Sequence, residues 1–238
     1  MKPITLDKKS LACSPIVFLW CLAAFGADGG AVRREEPIMV ARVQYYGGDY
    51  YTDPTALPNL VDFATKKTGS AWKTVDGSIS LLDPNLSRYP VLYLTGHGDI
   101  QLKADEISAL RGYLELGGFL LVNDNGPARS GNSIDAAFRR EIERVLPGRP
   151  LVEFPKDHPI FSGLFDFPEG IPQIHRHDET QPPRAFGIYV DGRLGVFYDW
   201  NSDIGNGWED PQVHNDPEEK RQEALKMGTN ILLYAMLQ

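Results

Sequence analysis

The 238-residue chain contains two cysteines, Cys13 and Cys21, and none beyond them. Everything after position 21 therefore has no disulfide framework, no thiolate metal site and no cysteine nucleophile. Positive charge is also in short supply. The 24 Lys and Arg stand against 32 Asp and Glu, giving a formal charge of −8. Sequence-independent nucleic-acid binding needs a basic face, so that class is excluded, and the closely spaced Arg139, Arg140, Arg144 and Arg149 offer only a local patch. No apolar run reaches the roughly 18 residues of a typical spanning helix. Internal repeats and low-complexity tracts are missing as well. What remains is a chain of 42% hydrophobic residues, enough for a substantial core.

The first residues have the layout of a targeting signal. Lys2, Lys8 and Lys9 precede a mostly apolar stretch, Leu11 to Phe25, and Ala24, Gly26 and Ala27 supply small residues for cleavage. Bulky Trp20 before Cys21 disfavours a lipoprotein signal. The expectation is a signal peptide over residues 1–27, a linker over 28–37 and one domain over 38–238, periplasmic or secreted. The alternative is a membrane anchor made by residues 11–27. Loss of residues 1–27 removes three Lys and one Asp and leaves a still more acidic chain.

The organising stretch is Val91 to Gly126. Two short apolar runs, Val91–Leu94 and Phe119–Val122, flank a segment whose apolar residues Ile107, Leu110, Tyr113, Leu114 and Leu116 recur with a period of about 3.6. This reads as strand, helix, strand, with strands buried on both faces of a parallel sheet. Upstream, Ile38–Tyr45 alternates as a first strand, Tyr46 to Pro54 is an aromatic and polar loop, Leu57–Lys67 is a helix, and Ile79–Leu82 is a weak strand. Downstream, Asn132 or Ser133 caps a helix to about Leu146, and Leu151–Phe154 is a further strand. Asp191-Gly192 joins Phe186–Val190 to Leu194–Tyr198 as a hairpin. Glu218–Leu237 is a final helix with Leu225, Gly228, Thr229, Leu232 and Ala235 near one stripe. The fold class is α/β, a three-layer sandwich on a mainly parallel sheet with a late β-hairpin extension.

Ligands in such sheets sit beyond the carboxyl ends of the strands. Those ends carry Thr95-Gly96-His97-Gly98-Asp99 and Asn123-Asp124-Asn125-Gly126. His97 is a candidate general base or ligand contact, and equally a structural histidine at a strand end. Asp124 lies where a nucleophile elbow would be. It suits binding a metal, orienting a water or hydrogen-bonding a sugar, and Asn and Asp are also ordinary turn residues. His97 and Asp124 are thus the catalytic candidates. His158, His175, His177, Asp178 and His214 lie in irregular segments without the helical spacing of a metal motif, so neither a metal nor another cofactor is expected. Arg139 offers a planar fork for an anion or a solvated helix face. Tyr46, Asp49, Trp200 and Trp208 combine rings with polar neighbours, which suits a carbohydrate or peptide surface and suits loop packing equally. With Asp99, Asn123, Asn125 and His158 they complete the ligand-binding candidates.

Several segments together resemble a known family: Tyr46-Gly47-Gly48-Asp49-Tyr50-Tyr51-Thr52-Asp53-Pro54, Tyr93-Leu94-Thr95-Gly96-His97-Gly98, Gly117-Gly118-Phe119-Leu120, Ala137-Phe138-Arg139-Arg140-Glu141, Asp157-His158-Pro159-Ile160-Phe161 and Gly205-Asn206-Gly207-Trp208-Glu209. They are similar to the bacterial domain-of-unknown-function family 4159, over about Ile38 to Leu237. The resemblance implies a class I glutamine amidotransferase-like, flavodoxin-like sandwich and leaves the biochemical role open. It also implies a neighbourhood of membrane-linked ATPase and von Willebrand factor A-type proteins, hence a membrane-linked complex. Members of the family often carry Cys near the turn occupied here by Asp124-Asn125, so glutaminase chemistry does not carry over. The expected function is a non-catalytic ligand-binding or interaction domain of the cell envelope, its partner a small molecule or an envelope protein. The alternative is a hydrolase using His97 and Asp124 with water or a metal. A third possibility is a scaffold docked through the final helix.

Overall fold

The computed structural model describes residues 36–126 and 134–238. The expected signal segment, most of the linker and the capping positions Asn132 and Ser133 lie outside the described residues. In chain order the elements are β1 (Ile38–Gln44), β2 (Tyr46–Gly48), α1 (Ala56–Thr68), β3 (Trp72–Thr74), β4 (Ile79–Ser80), β5 (Val91–Leu94), β6 (Gly98–Gln101), α2 (Ala104–Glu115), β7 (Phe119–Asn123), α3 (Ile134–Val145), β8 (Val152–Glu153), β9 (Arg184–Val190), β10 (Arg193–Trp200), α4 (Pro211–His214) and α5 (Glu218–Leu237).

The main sheet runs β3-β1-β5-β7-β10-β9-β8, with the short β4 also paired to β1. Strands β3, β1, β5, β7 and β10 are parallel, and β9 and β8 add antiparallel at one edge. Every residue of β5 and β7 is buried, as continuous apolar runs require when helices cover both faces. One face packs Leu92, Leu94, Leu120 and Val122 against Ile107 and Leu110 of α2 and Phe138 and Ile142 of α3. The other packs Tyr93, Phe119 and Leu121 against Leu57 and Leu60 of α1 and Met227 and Ile231 of α5. Alternate residues of one strand serve opposite cores, so the three layers follow from the period-2 geometry of the strand.

Three features differ from the sequence reading. Trp72–Thr74 is an edge strand that three residues are too few to announce. Its Trp72 is buried and donates from Nε1 to Thr68 Oγ1 at 3.2 Å. Tyr46–Gly48 and Gly98–Gln101, read as loop and turn, pair antiparallel in a separate two-stranded ribbon. Glycine permits this: a Cβ on Gly48 would sit 2.3 Å from the His97 carbonyl oxygen. Finally, α5 buries Ala224, Leu225, Met227, Gly228, Thr229, Ile231 and Leu232 in the core. A scaffold docking through an exposed apolar face of this helix is therefore ruled out for those residues.

Gly228 lies at the tightest point of that packing, where a Cβ would meet Leu60 Cδ1 at 2.6 Å and Trp208 Cζ2 at 2.8 Å. Gly228→Val is expected to cost about 1–3 kcal/mol through overpacking, read as a lower urea midpoint with an unchanged m-value.

Candidate functional site

The site is built where the parallel strands end. Asp199, near the end of β10, has no solvent exposure. Its Oδ1 accepts the Asp124 amide at 2.8 Å and its Oδ2 accepts the Ile204 amide at 2.9 Å. Asn123, the last residue of β7, donates to Asp203 Oδ1 at 2.9 Å and accepts from the Gly205 amide at 2.7 Å. Asp124 Oδ2 accepts the Asn201 amide at 2.9 Å, and Asn201 Oδ1 accepts the amides of His177 and Asp178, both at 2.8 Å. Buried backbone donors that leave the sheet thus find carboxylate or carboxamide acceptors. Asp53, Asn201 and Asp203 have φ of 54°, 57° and 51°. Among residues with a Cβ, Asn and Asp adopt this left-handed region most readily, and such conformations concentrate at functional loops.

Two histidine–carboxylate pairs meet above this network. His97 Nδ1 lies 3.1 Å from Asp49 Oδ2, and the His97 amide donates to Asp49 Oδ1. His177 Nε2 lies 3.0 Å from Asp203 Oδ2. Between the two rings is Gly126 at φ 133°. A Cβ there would sit 3.3 Å from His97 Cδ2 and 3.5 Å from His177 Cε1. His97 is half-exposed, whereas Asp203 is fully buried. Behind His177, His175 stacks at 5.3 Å between ring centroids and accepts from Asn206 Nδ2 at 2.8 Å.

The electrostatics favour bound protons. Burial, reinforced by the charges of Asp203 and Glu209, raises the Asp53 pKa to about 7 against the pull of Arg42 and His97. Asn125 Nδ2 donates to Asp53 Oδ2 at 2.6 Å. Burial raises Asp124 to about 6, although the Asn201 amide and the His177 charge oppose it. Burial also holds Asp199 well above the usual carboxylate range. For His177, burial opposes the charged form, but the hydrogen bond and charge of Asp203, with the charge of Asp124, raise its pKa on balance. Glu209 serves the architecture instead. Its carboxylate accepts the amides of Thr55 and Ala56 at 2.9 and 2.7 Å and caps α1.

Of the residues picked out in the sequence, the structure gathers Asp49, His97, Asn123, Asp124 and Asn125. The others are dispersed. Asp99 turns to Arg140 at 2.8 Å, and Arg139 pairs with Asp135 at 2.7 Å while lying over the Phe186 ring. Tyr46 is half-exposed on the ribbon with Lys103 Nζ 4.2 Å from its ring centroid. Trp200 is covered by Arg184 at 5.0 Å. Trp208 belongs to the core: it is 0% exposed and donates to the Ala224 carbonyl at 2.8 Å, so it has no surface for a ligand. His158 stacks on Phe154 at 4.1 Å, accepts the Ile160 amide to cap the start of the turn Pro159–Phe161, and lies 3.0 Å from the Tyr189 hydroxyl. The partner of His97 is Asp49, while Asp124 holds the Asn201 amide. Sequence reasoning passed over Asp53 and Asp199. The run Asp199-Trp200-Asn201-Ser202-Asp203 closing a buried strand was the signal for the latter. Among the described residues no group of three His, Cys, Asp or Glu side chains is arranged to hold a metal ion.

The chain belongs to the family described as domain of unknown function (DUF4159), which matches residues 39–236. No curated protein matches the sequence.

The raised acid pKa values fix a direction of pH dependence. A carboxyl whose folded pKa exceeds its unfolded one binds more protons in the native state. Its stabilisation is full below about pH 4 and lost as pH rises through about 7 for Asp53. His177, also raised, has the same sign. Urea midpoints are expected to decrease as the pH is raised from about 5 to about 8. Asp53→Asn, which keeps a residue tolerant of the left-handed backbone, is expected to flatten that slope; an unchanged slope would remove Asp53 as its origin.

Proposed function

We propose that this domain binds a small polar ligand at the strand ends, in the cell envelope, without a covalent step. The observation that carries the reading is the convergence of His97 and His177, each with its own carboxylate, on the bare Cα of Gly126. A Gly at that point leaves room for a ligand to approach the backbone between two imidazoles. The carboxylates Asp49 and Asp203, each beside a histidine of the site, disfavour an anion, so the ligand is neutral or cationic and rich in hydrogen-bonding groups, as a glycan or amino sugar is. A site at the carboxyl ends of a mainly parallel sheet supports kinship with the class I glutamine amidotransferase-like, flavodoxin-like fold. On that fold Asp124-Asn125 stand where a thiol would act, and the absence of cysteine beyond position 21 makes binding the retained role. The charged and apolar pattern of residues 1–27 supports export. The same apolar stretch, left uncleaved, would anchor the domain and bring it beside an envelope protein.

One observation favours hydrolysis as a second reading. His97, half-exposed and held through Nδ1 by Asp49, has the arrangement of an oriented general base for a water molecule. The carboxylate beside His97 is Asp49 and not Asp124, the residue that the sequence paired with it as a catalytic candidate.

Thermal-shift and calorimetric screening with neutral sugars, amino sugars, peptidoglycan fragments and carboxylates tests the first reading. Neutral or amine-bearing compounds are expected to raise the melting temperature and carboxylates to leave it unchanged. His97→Ala should weaken binding at least about tenfold, the worth of one lost hydrogen bond to a charged or polar group. Stabilisation by none of these compounds would sink it. Hydrolysis of 4-nitrophenyl esters and glycosides at equal rates by wild type and His97→Ala would remove the second.

A further inference from the structure

Four of the chain's five histidines collect at the ligand end: His97, His177, His175 and His214. The His175 ring lies 5.3 Å from that of His177 with 21° between their planes, and the His214 ring meets His175 edge-on at 6.2 Å. The imidazoles therefore continue in a row past Gly126. Residues 175 and 177 are two apart, the spacing that brings side chains to one side of an extended chain, and Arg176 between them turns to Glu179. Backbone contacts hold this segment. The His175 amide donates to the Ser202 carbonyl at 2.8 Å, and the His177 amide to Asn201 Oδ1 at 2.8 Å. His177 is largely covered, whereas His175 is exposed.

The partners of each ring decide which nitrogen carries a hydrogen. Asn206 is buried, and its Nδ2 lies 2.9 Å from Asp203 Oδ2 and 2.8 Å from His175 Nδ1. The carboxamide cannot be turned over, because its oxygen would then face the Asp203 carboxylate. His175 Nδ1 is therefore an acceptor, and the neutral ring carries its hydrogen on Nε2. That nitrogen is on the side of the ring away from buried Asn206. His97 has the opposite assignment. Its Nδ1 faces the Asp49 carboxylate at 3.1 Å, so Nδ1 carries the hydrogen and Nε2 of the neutral ring is an acceptor. The two rings also differ in charge, since a carboxylate backs His97 and a carboxamide backs His175.

We propose that His175 is a specificity-determining residue of the same site: its Nε2–H donates to an acceptor oxygen on a second unit of the ligand, which makes the ligand a glycan of at least two sugars. The proposal rests on the binding reading above. A sugar seated over Gly126 lies between His97 and His177, and His175 stands one ring spacing further along the row. A ligand that reaches it must present an acceptor there, as a sugar hydroxyl or an acetamido carbonyl does. With no carboxylate behind it, His175 offers no attraction to a positive charge, so the second unit is neutral. Asn206 fixes the donor before the ligand arrives, and a preorganised donor loses little freedom on binding.

Calorimetry with N-acetylglucosamine and its β-1,4-linked dimer tests it. Wild type is expected to bind the dimer at least about fivefold more tightly than the monomer, the worth of one further hydrogen bond. That gain should disappear in His175→Ala and in His175→Phe. The Phe variant keeps a ring against His177 and removes only the donor, so a gain retained there assigns the effect to stacking and overturns the proposal. His97→Ala is expected to weaken both sugars and to leave their ratio as it is. His175 is exposed, and circular dichroism melting verifies that the variants fold. A second measurement needs no ligand. Long-range ¹H–¹⁵N correlation spectra above neutral pH are expected to show His175 with its hydrogen on Nε2 and none on Nδ1; a hydrogen on Nδ1 overturns the donor assignment. The two readings fail differently. Equal affinity of wild type for monomer and dimer ends this proposal alone, whereas binding of neither sugar ends the glycan reading of the site with it.

Discussion

A carboxyl group with no access to water, Asp199, sits where β10 leaves the sheet, and much of the domain's organisation depends on it. A buried carboxyl is costly unless its oxygens are satisfied. Here one oxygen takes the first amide after β7 and the other takes the amide of Ile204. Two strand ends are thereby locked to one loop. Asn123 repeats the device by joining Asp203 and Gly205, and Glu209 carries it to the start of α1. The loop from Asn201 to Glu209 is consequently a hub whose acceptors hold three other segments in place. Strain at Asn201 and Asp203 is tolerated because these hydrogen bonds over-determine it.

That arrangement also sorts the acids by role. Asp124, Asp199 and Glu209 have oxygens engaged by backbone amides and act as architecture. Asp49 and Asp203 accept backbone amides as well, from His97 and Asn206, but each also faces a histidine ring and so sets ring orientation and charge. Asp53 stands between the two groups. It accepts from Asn125, and its raised pKa gives it a proton near neutral pH. The rigid acids beneath and the histidine pairs above form a preorganised floor and walls, the condition under which polar contacts give affinity rather than merely ordering the protein.

Much of the fold was legible because the strongest signals are periodic. Val91–Leu94, the α2 helix, β7, the Asp191-Gly192 hairpin and α5 announce themselves through burial on two faces, a helical stripe or turn chemistry. The three-residue β3 and the β2–β6 ribbon did not, since so few residues establish no period and the ribbon is rich in Gly. The site was legible only in part. Strand-end topology pointed to His97 and Asp124, but pairing is a three-dimensional fact: Asp49, 48 residues before His97, became its partner by way of the ribbon. Trp208 misled because an indole among Gly, Asn and Glu has the composition of a binding loop, yet here it fills the space between α1 and α5.

The ribbon is also where fold and proposed function join. Gly47, Gly96 and Gly98 take positive φ, and Gly48 admits no Cβ, so the β1–α1 loop lies close against the β5–α2 turn. That contact sets Asp49 against His97. An aromatic series, Tyr45 to Tyr50 to Tyr51, with edge-on contacts at 5.8 and 5.5 Å, backs the same loop. Tyr45 donates to the Thr95 carbonyl at 3.0 Å, fixing the strand end from which His97 emerges. Hence the half-exposed histidine is held from both sides by elements whose glycines serve geometry and whose tyrosines serve packing. A mobile surface histidine would need none of this. The construction around His97 is the cost a fold bears for a residue that must be presented in one orientation, and it is the reason the proposed ligand site is centred there.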